Sequence, residues 1–127
     1  MKTKIFGLLF FAFLQSCILK SDCENELISA LNSDDDKLSL FLFTRDCGAT
    51  TATSVQLLLR SKEDNLTDNE TGNIFVADGK PTLESYREAV SVKWISKNVV
   101  EVQFDKTLRV FEQDTTWGST KIKYLLK

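Results

Sequence analysis

The chain has 127 residues with a formal net charge of −2, enough for one folded domain and too little for two. It contains no histidine, which removes the commonest general base and the commonest metal ligand. The mildly acidic balance offers no phosphate-binding footprint, so nucleic acid is not an expected partner.

Residues 1–17 read MKTKIFGLLFFAFLQSC. A basic start, Lys2 and Lys4, precedes an apolar run from Ile5 to Leu14. Spanning a bilayer takes about 20 apolar residues, so this run is too short and has the layout of an export signal. Ordinary cleavage wants small residues one and three positions before the cut, and Leu14 breaks that pattern. Leu14-Gln15-Ser16-Cys17 instead resembles the lipobox of bacterial lipoproteins. That resemblance implies removal of residues 1–16 as a signal peptide and lipidation of the Cys17 thiol. Residues 17–22 then form a lipidated tether and 23–127 a single β-domain. The implied partner is a membrane, reached through lipid on Cys17. Ile18 stands where an inner-membrane retention signal would carry Asp, so the expected address is the cell envelope, at an outer membrane facing periplasm or surface.

With Cys17 assigned to lipid, Cys23 and Cys47 remain as an even pair in an oxidising compartment. A hairpin of 26–32 and 38–45 around Ser33-Asp34-Asp35-Asp36-Lys37, with Asn32 opposite Leu38, sets Cys23 opposite Cys47. A disulfide is expected there. A redox-active pair is the rival reading, but no C-x-x-C exists.

The body alternates with strand periodicity. Leu38, Leu40 and Leu42 alternate with Ser39, Phe41 and Phe43, so both faces are apolar and this strand should be covered on both sides. Val55, Leu57 and Leu59 mark a strand over 53–60, and 61–72 is a polar, acidic loop. Residues 73–78 make a short strand, and 81–88 hold at most a short helix. With Ser96-Lys97-Asn98 as a three-residue turn, Ile95 pairs with Val99, which sets Trp94 against Val100 and Val92 against Val102. Strands over 108–112 and 120–126 complete an all-β fold. The expectation is a small antiparallel sheet or sandwich of about seven strands.

Two stretches carry a second resemblance. Arg45-Asp46-Cys47-Gly48-Ala49-Thr50-Thr51 and Gly72-Asn73-Ile74-Phe75-Val76-Ala77-Asp78-Gly79, with the later Val90-Ser91-Val92-Lys93-Trp94, are similar to an uncharacterised family of small exported bacterial proteins with an RDCGATT motif. The resemblance implies a compact β-domain and names no activity. Many members have a Ser-Pro-Asp-Gly-like turn before the second strand, where this chain has Asn32-Ser33-Asp34-Asp35-Asp36.

The RDCGATT segment is the candidate recognition loop. Arg45 could hold an anion, with Thr50 and Thr51 as donors. In the structural reading, Gly48 supplies an unusual backbone angle while Asp46 or Thr50 bonds the loop backbone. A threonine nucleophile would need an adjacent base that no histidine can provide. Neither Asp34-Asp35-Asp36 nor 64–70 has calcium-loop spacing, so no metal and no cofactor is expected. The sequons at Asn65 and Asn69 are discounted for a bacterial protein, and Trp94 and Trp117 read as core or edge residues. A non-enzymatic envelope module, binding or structural, is the expectation. An enzyme or enzyme inhibitor using the Arg45–Thr51 loop is the alternative.

Overall fold

The computed structural model describes residues 23–62 and 65–127, so the signal peptide, Cys17 and the tether lie outside the described residues. β1 (Glu24–Asn32), β2 (Leu38–Asp46), β3 (Ser54–Ser61) and β4 (Phe75–Asp78) lead to helix α1 (Leu83–Ala89). β5 (Val90–Ser96), β6 (Val99–Phe104), β7 (Arg109–Gln113), β8 (Thr116–Trp117) and β9 (Thr120–Leu126) follow. They form a five-stranded sheet in the order β1-β2-β3-β4-β7 and a four-stranded sheet in the order β5-β6-β9-β8. The all-β expectation holds, with nine strands among the described residues rather than about seven. The helix starts two residues later than expected. Thr82 caps it, accepting from Ser85 N at 3.1 Å while Ser85 Oγ accepts from Thr82 N at 3.0 Å.

One ladder departs from the antiparallel expectation: β6 and β9 pair in parallel. β7 lies in the first sheet, and 114–115 carry the chain across to β8 in the second. Asp114 N donates to Ile74 O at 2.8 Å and Ile122 N to Thr115 O at 2.9 Å, holding this corner. The half-buried Tyr124 seals it, its hydroxyl set against the carbonyls of Asp114 and Ile74 at 2.6 and 3.1 Å. β9 therefore enters from the same end as β6 and runs beside it. Local alternation carries no information about such a crossover.

The core lies between the sheets. Leu40, Leu42, Val55, Leu57, Leu59 and Ala77 meet Val90, Val100, Val102, Phe104 and Ile122. Phe75 and Phe104 join the layers with ring centroids 5.3 Å apart, and Tyr124 lies 6.0 Å from Phe75. A second, smaller cluster lies on the far side of β2 and β3, where Leu66 packs against Phe41, Phe43 and Leu58. β2 is thus covered on both faces, as its continuous apolar run implies.

Two turns are tighter than expected. Ser33, not Asn32, stands opposite Leu38, with Ser33 N donating to Leu38 O at 2.9 Å. Asp36 N closes on Ser33 O at 2.8 Å and Asp36 takes a left-handed φ of 60°. The resulting one-residue shift is absorbed by a bulge at Ile28, between Leu27 and Ser29. Below it Leu27 faces Phe43 and Glu24 faces Asp46. The cysteines recover the expected register and form the Cys23–Cys47 disulfide, with a Cα separation of 3.9 Å. In the β5–β6 hairpin the pairs Trp94–Val100 and Val92–Val102 stand as expected. Ser96, not the expected Ile95, pairs with Val99, and a bulge at Ile95 takes up the slack.

The sandwich has two distinct ends. The disulfide, the 47–53 loop, the start of α1 and the end of β9 gather at one. The turns at 33–37, 97–98 and 118–119 gather at the other. Reduction of the disulfide, or the Cys23→Ser/Cys47→Ser pair, should lower unfolding stability by about 2–4 kcal/mol. Urea unfolding with and without reductant measures this; coincident curves would show that the bridge does not restrain the chain.

Candidate functional site

Arg45 and Asn25 are direct cross-strand partners, each two residues from a bridged cysteine. Arg45 is only 9 % exposed. Its Nη1 donates to Asn25 Oδ1 at 2.9 Å and to the carbonyls of Asp68 and Glu70 at 2.8 and 3.0 Å. Asn25 Nδ2 donates to the carbonyls of Thr67 and Glu70, at 2.8 and 2.7 Å. Asn25 N completes the set, donating to Asp68 Oδ1 at 2.9 Å. A cation and an amide therefore hold 67–70 as a strap across the outer face of the first sheet. Part-buried main-chain carbonyls need donors, and a charged donor is stronger than a neutral one there.

The strap closes the aromatic patch beneath it. Leu66 covers Phe41 and Phe43, while Arg60 sits over the Phe41 ring at 4.7 Å and pairs with Glu70. Gly72 is where the strap returns to the sheet. A Cβ there would lie 2.8 Å from Gln56 Cβ and 2.9 Å from Leu57 O, so no side chain fits. Gly72 N donates to Gln56 Oε1 at 2.7 Å. Asn73 then uses its side chain as a strand. Leu59 N donates to Asn73 Oδ1 at 2.9 Å, and Asn73 Nδ2 donates to Leu59 O at 2.7 Å. The carboxamide thereby extends the β3–β4 ladder, whose last backbone pair is Leu57–Phe75.

The rest of the candidate recognition loop bonds to itself. Gly48 takes φ 110°, a region that favours glycine, and its N–H donates to Asp46 Oδ1 at 3.0 Å. Both the backbone N–H and the hydroxyl of Thr51 donate to Gly48 O at 3.3 Å. Thr50 is exposed. The structure thus brings Asp46, Gly48 and Thr51 together in a turn, and turns Arg45 inward to the strap, away from Thr50. Sequence reasoning missed Asn25, Asp68, Glu70 and Asn73. Asn25, alone among charged and apolar neighbours, was the available signal, but its partners in the strap lie more than 40 positions away.

Two shallow clefts mark the two ends. One of about 410 Å³ at the disulfide end is lined by Glu24, Glu26, Thr44, Asp46, Thr53 and Leu83, among others. One of about 430 Å³ at the turn end is lined by Asp35, Lys37, Lys97, Asn98, Ser119 and Thr120, with Leu38. Hydrogen bonding from Ser33 holds the Asp35 carboxyl below the ordinary 3.8, assisted by Lys37 and Lys97. Tyr86, fully buried, anchors the disulfide end: its hydroxyl donates to Thr53 O at 2.6 Å and accepts from Lys80 N at 3.2 Å. Burial pushes its phenol above the ordinary 10.0. Among the described residues, no three His, Cys, Asp or Glu side chains gather as metal ligands. No helix of the described residues is long and apolar enough to cross a membrane.

Beside β4, Arg109 forms a two-pronged pair with Asp78, Nε to Oδ1 at 3.0 Å and Nη2 to Oδ2 at 2.7 Å. That hydrogen bonding holds the buried Asp78 carboxyl below 3.8. Comparison of the chain with family models, with curated proteins and with solved structures finds no match.

Arg45→Ala should cost roughly 1–3 kcal/mol of stability, because it removes the charged donor shared by the part-buried carbonyls of Asp68 and Glu70. Hydrogen exchange at 67–70 should rise before global unfolding. Wild-type stability with unchanged exchange would show that the strap does not need Arg45. For Asp78, a depressed carboxyl contributes stability in full above its unfolded value and loses it as pH falls through the folded one. Below about pH 4 the thermal midpoint of the wild type should therefore fall more steeply than that of Asp78→Asn. Parallel acid profiles would count against this pair.

Proposed function

We propose that the protein is a lipoprotein of the bacterial cell envelope, a binding or structural β-module held to a membrane by acyl chains on Cys17. One observation carries the reading. The disulfide consumes Cys23 and Cys47, and the thiol left over is the one that ends Leu14-Gln15-Ser16-Cys17. An exported chain with one thiol outside its disulfide needs a fate for it, and the lipobox supplies one. A single acyl chain anchors only marginally at about 0.8 kcal/mol per buried methylene, whereas two or three hold stably. The outer membrane is the proposed address, because Ile18 does not match the retention signal. Membership in the family with the RDCGATT motif belongs to the same proposal, supported by the structural work that Arg45, Gly48, Gly72 and Asn73 perform within those motifs.

A non-catalytic role fits the absence of histidine and the engagement of Arg45 within the protein. The alternative, an enzyme or enzyme inhibitor acting through the Arg45–Thr51 loop, loses its cation to the strap.

Metabolic labelling with an alkynyl palmitate analogue in a bacterial host tests the anchor. Label should appear in the wild type and vanish in Cys17→Ala, which should also leave the membrane fraction. Equal labelling of both proteins would refute acylation at Cys17.

A further inference from the structure

The strands fix which end of the sandwich can approach a membrane. β1 starts at Cys23, which the disulfide fastens to Cys47 at the end of β2, so the first described residue is part of the rigid body. From Cys17 to Cys23 the chain can reach at most about 20 Å, at roughly 3.5 Å per residue. The body is taller than that: β1 and β2 have nine residues each, or about 30 Å. Both β6 and β9 run toward the disulfide end. β9 delivers there Leu126, at 65 % exposure the most open large apolar side chain among the described residues, with Leu125 next to it at 46 %. Lys127 is held beside them, its N–H on Phe104 O at 3.0 Å and its Nζ on Glu88 O at 2.8 Å. Two ion pairs lie at this end, Lys80–Asp105 and Arg87–Glu84. Glu24 and Asp46 at the disulfide corner are acidic, so attraction to anionic headgroups is not the source of contact.

We propose that the domain stands on the bilayer with its disulfide end down, Leu125 and Leu126 resting in the lipid interface. The turn end, with the cleft between Lys37, Lys97 and Ser119, then faces outward. This rests on the lipid-anchor reading above. The occupant of the leucine surface is a phospholipid bilayer, because the tether joins the domain at that same end of the sandwich, where β1 begins and β9 finishes, and not at the turn end. Contact driven by two leucines and a tether should be insensitive to salt, unlike a headgroup-charge contact.

Both tryptophans report from the other end. Trp94 Nε1 donates to Leu31 O at 3.2 Å, one residue before the end of β1, and Trp117 adjoins the 118–119 turn. Acylated full-length product, with Cys17 lipidation confirmed by mass spectrometry, is incorporated into vesicles of phosphatidylethanolamine and phosphatidylglycerol. These are prepared with and without lipid carrying a doxyl group near the headgroup. Native tryptophan emission should be the same in both. A Leu126→Trp variant, at a site open enough to accept the ring, should lose its added emission in the doxyl vesicles, at low and at high salt. Quenching of the native tryptophans, or an unquenched Trp in the variant, would overturn the orientation while leaving the anchor intact. If mass spectrometry finds Cys17 without acyl chains, the anchor reading falls and the orientation falls with it.

Discussion

The guanidinium of Arg45 is the contact on which the outer half of the first sheet depends. A positive charge 9 % exposed to solvent is costly unless it is hydrogen-bonded. Here three acceptors converge on one nitrogen, two of them main-chain carbonyls of the strap. The charge is satisfied by folding 67–70 down, and the strap is held down by the charge. Because Arg45 and Asn25 sit opposite each other just inside the disulfide, the bridge and the clasp restrain the same corner.

That corner explains why a chain of this size can carry a strand with two apolar faces. Phe41 and Phe43 point away from the main core and would be exposed on an open sandwich. Burying them requires a segment that contributes one apolar residue, Leu66, and otherwise satisfies its own backbone. The acidic 61–72 segment does so by lending its carbonyls to Arg45 and Asn25 and its Glu70 carboxylate to Arg60. Its polarity follows from its task as a cover, with solvent on one side and a patterned donor row on the other. The two family-like motifs are the two ends of this device: Arg45 in the first receives the strap, and Gly72-Asn73 in the second returns it to the sheet.

The edges of the sheets are managed by similar local means. β1 is an edge strand, and unpaired edges invite further strand pairing. The Ile28 bulge interrupts it, Asp68 occupies Asn25 N, and the Trp94 indole occupies Leu31 O. At the opposite side 114–115 carry the chain from one sheet to the other, so the edge is bent and sealed by Tyr124.

The sequence by itself determined the positions of the longer strands, the two-faced burial of β2 and the cysteine pairing, but not the two-residue β8. Each is set by alternation within one strand or by register between neighbours joined through a short turn. It also held the pairs Trp94–Val100 and Val92–Val102, although the turns on both hairpins are one residue tighter, since bulges at Ile28 and Ile95 restore the register. Only the tertiary structure decided the parallel β6–β9 ladder, because a crossover between sheets leaves no periodic trace in the chain. It alone decided that Arg45 turns inward. A surface-type residue in a polar loop looks like a binding group until the acceptors that claim it are known, and those lie 20 to 25 positions away. Alternation reports which side of a strand is apolar; it cannot report which distant carbonyls will need a donor.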